Sequence, residues 1–193
     1  MRVLFLIVLV SFLMRTSFSE CPTIQLHPEF DKVAFSGTWY EQLRAKTVWF
    51  YKQDCTENNY LLRSDGSMLF IMSQFNLHRG QLDVFTAKAT NEGAQFHVRF
   101  FDFGPAGDFR VVATDYTNFL VLFGCRNFFK IRTIKYSWVL TRMPNPTQEL
   151  LNEAFEKLKA VLPDATLDDY RRTTHNNLCQ YPSSGLRPLS PEL

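Results

Sequence analysis

Between Phe35 and Arg142 the chain repeats one pattern, a short run with apolar or aromatic side chains at alternate positions followed by a turn. Phe, Val, Tyr and Trp are frequent in the runs, and β-branched and aromatic residues suit a half-buried pleated surface. Ser64-Asp65-Gly66, His78-Arg79-Gly80, Asn91-Glu92-Gly93 and Gly104-Pro105-Ala106-Gly107 mark turns between them. The pattern predicts eight strands, at 37–45, 57–63, 68–75, 82–89, 95–103, 109–114, 119–123 and 135–141. Short connections make neighbours pair antiparallel in up-and-down order. Such an all-β sheet closes on itself or splits into a sandwich, and the pattern alone does not choose. Closure at eight strands would leave an interior that side chains fill or that one small ligand shares.

One α-helix is predicted after the last strand. Asn145 is placed to cap it, Pro146 suits the first helical position and Gln148 stands at the capping-box position. Leu150, Leu151, Ala154, Phe155, Leu158 and Leu162 form one apolar stripe, expected to dock outside the sheet, and Pro163 stops the helix. Residues 181–193 are rich in Pro and Ser and are expected to be disordered.

Residues 1–19 read as a signal peptide. Arg2 precedes an apolar run from Val3 to Leu13, and Ser17-Phe18-Ser19 fits a cleavage site before Glu20. The run is shorter than the ~20 residues a spanning helix needs, so no stable membrane insertion is expected. Residues 20–180 then form the one folded domain. The chain has 21 Lys and Arg against 19 Asp and Glu, and Arg2 and Arg15 leave with the signal. The remaining balance is neutral, which argues against nucleic acid as a partner. The four cysteines, Cys21, Cys55, Cys125 and Cys179, are too widely spaced for a zinc knuckle or a CxxC redox pair. In a secreted chain they favour two disulfides, with three connectivities open.

Three short motifs carry a family resemblance. Gly37-Thr38-Trp39 at the start of the first strand, Thr114-Asp115-Tyr116 before the seventh, and Arg142 after the eighth resemble the three lipocalin signatures in order. The resemblance covers about residues 21 to 179 and implies a closed eight-stranded up-and-down antiparallel β-barrel with one C-terminal α-helix packed outside. In that frame Trp39 plugs the closed end, Arg142 lies across its ring, and Thr114-Asp115-Tyr116 tightens the adjoining turn. Phe30-Asp31-Lys32 resembles plasma retinol-binding proteins. Cys55 and Cys179 resemble the branch of apolipoprotein D and the insect bilin-binding proteins, and likeness to that branch implies the pairs Cys21–Cys125 and Cys55–Cys179.

With Trp39 inward as the resemblance implies, alternation directs Glu41 and Leu43 inward as well. Matching turns to the family adds Asn58, Tyr60 and Leu62; Phe70, Met72 and Gln74; Phe85 and Ala87; Val98 and Phe100; Phe109 and Val111; Leu120 and Leu122; and Tyr136, Trp138 and Leu140. Trp49, Phe50 and Tyr51 fall in the loop expected to lid the open end. The expected ligand wall is Glu41, Leu43, Trp49, Asn58, Tyr60, Phe70, Met72, Phe85, Val98, Phe100, Phe109, Leu122, Tyr136 and Trp138. Glu41 and Asn58 could orient a polar group, although Glu41 could equally pair with Arg142 or another basic residue. Phe70 and Met72 stand where retinol carriers tend to have small residues, which favours a compact or planar ligand such as a bilin, steroid or fatty acid.

No enzyme is expected. There is no Gly-x-Ser-x-Gly, and His27, His78, His97 and His175 lack ligand-like spacing, so neither metal nor cofactor is implied. Isomerase chemistry of the kind one lipocalin branch shows needs a free cysteine inside the barrel, and disulfides account for all four. Two function classes remain, an extracellular carrier of a small hydrophobic ligand and a protein-interaction or defence module with a largely filled barrel. A cell-surface receptor or a second copy of the chain is a conceivable partner for either.

Overall fold

The computed structural model describes residues 20–48, 52–99, 107–128 and 132–182. The predicted signal at 1–19, the aromatic loop residues Trp49, Phe50 and Tyr51, the turn at 104–106, Phe100, and the tail from 183 lie outside the described residues.

Eight antiparallel strands form the barrel: β1 (Gly37–Ala45), β2 (Gln53–Leu62), β3 (Met68–Asn76), β4 (Gln81–Glu92), β5 (Gln95–Arg99), β6 (Gly107–Thr114), β7 (Phe119–Phe128) and β8 (Arg132–Thr141). The sheet closes because β1 pairs with β2 at Gly37↔Tyr60 to Tyr40↔Glu57, and with β8 at Tyr40↔Thr141 to Arg44↔Trp138. Several strands run past their apolar patterns. Strand β7 reaches Phe128 and β8 starts at Arg132, because hairpin pairing continues through polar residues such as Arg126↔Ile134. Tight turns hold the register. Asp65 Oδ1 accepts the Ser67 amide at 2.9 Å, and Gly66 takes φ +77°, a conformation other residues adopt at a cost.

Other elements, among them a 3₁₀ turn at Leu167–Asp169, complete the described residues. A single helical turn, α1 (Lys32–Phe35), leads into β1 and is capped by Asp31. Helix α2 (Gln148–Lys159) follows β8, and a short strand, β9 (Tyr170–Arg172), pairs with the far end of β1. The cap of α2 differs from the expectation. Thr147 caps it, its hydroxyl accepting the Leu150 amide at 3.3 Å, and Asn145 and Pro146 lie before the helix. Asn145 and Thr147 both have capping side chains, and Thr147 is the one from which the third helical amide is in reach. The stripe of α2 buries Leu151, Ala154, Phe155 and Leu158 against outward Val121 and Val139 of the barrel. The inward residues of the same strands, Leu120, Leu122 and Leu140, join Phe35, Trp39, Phe96 and Val98 inside.

The closed end is organised around Trp39, which is fully buried and donates Nε1–H to the Phe35 carbonyl at 2.9 Å. The Arg142 guanidinium lies 3.7 Å from the centre of its ring. That guanidinium donates to the carbonyls of Ala34 (2.7 Å), Thr38 (3.0 Å) and Tyr116 (3.0 Å). It therefore ties the entry turn, β1 and the β6–β7 turn together. Gly37, at φ +98°, leaves room for it, since a β-carbon there would stand 3.2 Å from Nη1. In the β6–β7 turn Asp115 Oδ1 accepts the amides of Thr117, Asn118 and Phe119, at 2.7 to 3.1 Å. Two disulfides, Cys21–Cys125 and Cys55–Cys179, are the pairs the resemblance implies.

Replacing Arg142 with Met keeps the stem and removes the donors. Three carbonyls then lose their charged partner, each such bond being worth roughly 1.5–3 kcal/mol. Urea unfolding should show Arg142→Met destabilised by about 3 kcal/mol or more.

Candidate binding cavity

The lower half of the barrel interior is solid. Phe35 stacks on Tyr60 at 4.7 Å between ring centres and on Phe96 at 5.2 Å, and Tyr60 meets Phe70 at 4.4 Å. Above this aromatic layer lies a cavity of about 120 Å³. It is bordered by Glu41, Arg44, Val48, Asn58, Tyr60, Phe70, Ile71, Met72, Gln74, Phe109, Leu122, Trp138 and Leu140. Eight residues of the expected ligand wall therefore meet there: Glu41, Asn58, Tyr60, Phe70, Met72, Phe109, Leu122 and Trp138.

Four others stand elsewhere. Leu43 faces outward, packed with Val121, Val139, Phe155 and Leu158. The cause is a β-bulge in β1. Glu41 pairs with Leu140 and Leu43 with the very next residue, Val139, so Gln42 is an extra residue and the alternation inverts after it. Val98 is fully buried in the inner core beside Phe96, below the cavity. Phe85 pairs with Met72 across β3–β4 and shares its face, but it does not border the cavity. Tyr136 stacks on Trp138 at 6.3 Å, over the space left by Gly124, and Trp138 itself borders the cavity. Trp49 and Phe100 lie outside the described residues.

The bulge also brings in a residue that strict alternation would send out. Arg44 turns inward and is 2% exposed, and Glu41 beside it is 3% exposed. Arg44 Nε donates to Glu41 Oε1 at 2.9 Å, and Nη2 stands 2.8 Å from the same oxygen. Thr173 donates its hydroxyl to that oxygen at 2.6 Å, and Arg44 Nη1 reaches Gln53 Oε1 at 3.4 Å. Glu41 thus finds its basic partner in Arg44, not Arg142. Opposite charges at positions 41 and 44 were the available signal, because a strand places residues three apart on opposite faces unless it is bulged. Burial, and next the Glu41 charge, push the Tyr60 phenol well above its ordinary range.

A C-terminal strap covers this polar wall where β1 departs from β2. Strand β9 pairs with Leu43–Ala45, and the Thr173 amide donates to the Gln42 carbonyl at 3.0 Å. Arg171 meets Asp54 at 2.7 Å, and Cys55–Cys179 anchors the strap to β2. His175 Nε2 bonds the Glu41 carbonyl oxygen at 2.6 Å, and its Nδ1 pairs with the Tyr181 hydroxyl at 2.7 Å. Tyr181 also packs edge-on against Tyr40. Burial pushes the Tyr181 phenol up to about 12. No group of His, Cys, Asp and Glu suited to a metal ion occurs among the described residues, and all four cysteines are in disulfides.

Two consequences follow for stability. Arg44→Met leaves Glu41 as an uncompensated buried charge and should cost about 3–5 kcal/mol in urea unfolding, while Glu41→Gln in the same chain should restore part of the loss. Burial holds His175 below its ordinary value, outweighing the Glu41 carbonyl and the nearby charges of Glu41 and Asp54. The native state therefore resists a proton that the unfolded chain takes up near pH ~6.5. Stability should be full above that pH and fall as pH drops through it towards the lowered native value, with His27, also held low by burial, acting the same way. Urea midpoints taken from about pH 7.5 to about pH 5.5 should fall, and His175→Asn should shrink the fall.

Known proteins agree with this architecture. The sequence model of the lipocalin / cytosolic fatty-acid binding protein family matches residues 36–176. Apolipoprotein D from Cavia porcellus is 28% identical over 160 residues, 81% of this chain and 82% of the relative. Apolipoprotein D from Bos taurus is 30% identical over 129 residues, 65% of this chain and 67% of the relative. Insecticyanin from the tobacco hornworm Manduca sexta superimposes with a TM-score of 0.73 at 16% identity, over 85% of this chain and 91% of that one. Lobster apocrustacyanin A1 gives 0.67 at 16% identity, over 80% and 84%. The closed barrel, its plugged end and the matched span make this chain a member of the lipocalin family, whose barrels bind small hydrophobic molecules.

Proposed function

We propose that this chain is a secreted carrier that holds a compact hydrophobic molecule inside the barrel, with Tyr60, Phe70, Met72, Phe109, Leu122 and Trp138 as the apolar ligand wall and Glu41 and Asn58 on its polar side. The observation that carries the reading is the cavity itself, bordered by these residues above a solid aromatic floor. Small-molecule sites combine apolar walls with a few placed polar groups in this way. Two disulfides support an oxidising, extracellular setting, as does the apolar segment at the start of the sequence. At about 120 Å³ the cavity is smaller than the ~300–1,000 Å³ of typical ligand pockets, so a short or planar molecule suits it better than an extended retinoid.

A second reading, a protein-interaction module, draws on one observation. Phe75 on β3 and Leu82 and Val84 on β4 are exposed on the outer face, Leu77 is exposed in the turn between the strands, and Phe75 and Leu82 are direct cross-strand partners. Mass spectrometry of the protein purified from its source under native conditions separates the two. The carrier reading expects a co-purifying small molecule whose removal raises tryptophan fluorescence. A protein that carries nothing and whose fluorescence no steroid, bilin, fatty acid or retinoid quenches would end that reading. With a ligand in hand, Trp138→Ala should weaken binding by about tenfold or more, the loss expected for removing a large apolar contact.

A further inference from the structure

We infer that Gln74 recognises an uncharged oxygen acceptor, so that the ligand is a compact apolar molecule bearing a ketone, ester or amide carbonyl, and not a free acid or a hydrocarbon. The inference rests on the carrier reading and names the ligand class for the same cavity. Gln74 shares the inward face of β3 with Met68, Phe70 and Met72, borders the cavity and is 1% exposed. Its Nε2 has no hydrogen-bond partner among the described residues. The polar residue directly opposite it, Asp83, gives its oxygens to Asn76, Arg79 and Gln81. A buried amide N–H without an acceptor carries an unrecovered desolvation penalty. An apolar ligand that fills the cavity leaves that donor unpaired, and a ligand carbonyl pairs it.

The charge of the wall decides which acceptor. Glu41 and Arg44 border the same space as a closed ion pair 2.8 Å apart, so their charges cancel. An incoming carboxylate would give up its hydration and meet Glu41 across a site whose cation is already engaged. A carbonyl oxygen takes the Gln74 proton without either cost.

Three probes with one ring system and different heads test this: 2-acetylnaphthalene, 2-ethylnaphthalene and 2-naphthoate. Calorimetric titration of the disulfide-intact protein at neutral pH should show the acetyl compound binding about tenfold tighter than the other two. Gln74→Met, which keeps the volume and removes the donor, should abolish the preference for the acetyl over the ethyl compound. Equal binding of acetyl and ethyl compounds by the unmodified protein, tightest binding of naphthoate, or a preference that survives in Gln74→Met overturns the inference and leaves the carrier reading standing. Failure of all three to bind, the ethyl compound included, overturns the carrier reading and the inference with it. The comparison on the unmodified protein decides the matter even where Gln74→Met does not fold.

Discussion

Strand β1 hydrogen-bonds to β2 on one side and β8 on the other, and the barrel exists only because both pairings hold at once. They do so over different stretches. The β2 pairing occupies Gly37 to Tyr40, and the β8 pairing runs from Tyr40 to Arg44. Beyond Tyr40 the β2 side of β1 is open, and exposed edge groups must find partners. The chain resolves this with its own C-terminal segment. Strand β9 takes the vacated edge at Leu43–Ala45 and meets β2 through its Arg171 and Asp54, and the strap beyond it is tied to β2 by Cys55–Cys179. The disulfide is therefore part of how the barrel seam is sealed.

The seam also explains why a largely apolar interior contains charge. Sealing β1 with a strap puts Thr173 and His175 next to Glu41, and the bulge at Gln42 turns Arg44 to the same place. Two buried charges are tolerable only when paired and supplied with further hydrogen bonds. Here Thr173 and Gln53 supply them. The same bulge turns Leu43 outward to complete the contact with α2. One extra residue thus serves both the outer core and the polar wall of the cavity.

Much of the barrel was legible in the sequence. The first strand was read at 37–45, where it lies, because its alternation is bounded by Gly37 and the loop after Ala45. Trp39, Asp115 and Arg142 could be placed because their roles depend on local spacing and on one ring, one turn and one guanidinium. What alternation could not show was the residue at which it fails. The local hint of the bulge at Gln42 is the pair of opposite charges at Glu41 and Arg44, and alternation by itself directs Leu43 inward and Arg44 outward. Val98 and Phe85 stand away from the cavity for another reason. Their faces are a matter of period, whereas their distance from the cavity depends on how far neighbouring side chains such as Phe70, Met72 and Gln74 extend into it. The strap's sealing role rests on long-range pairs, Gln42 with Thr173 and Asp54 with Thr174, which no local pattern encodes.

The division of the interior into a filled floor and a small upper space has a physical consequence for selection. The floor is a contact of rigid rings, Phe35, Tyr60, Phe70 and Phe96, whose packing leaves no route downward short of displacing an aromatic residue. Ligand length is then limited by a fixed surface and not by loop position. Above the floor, the apolar walls of Leu122, Leu140 and Trp138 reward any hydrophobic shape that fits. Burial alone discriminates weakly among such shapes, since one methylene changes the free energy by only ~0.8 kcal/mol. Sharper discrimination comes from buried polar groups that a wrong ligand leaves unpaired. In this barrel such groups stand on one wall, from Glu41 and Arg44 to Asn58 and Gln74, so on the proposed carrier reading size is set from below and chemistry from the side.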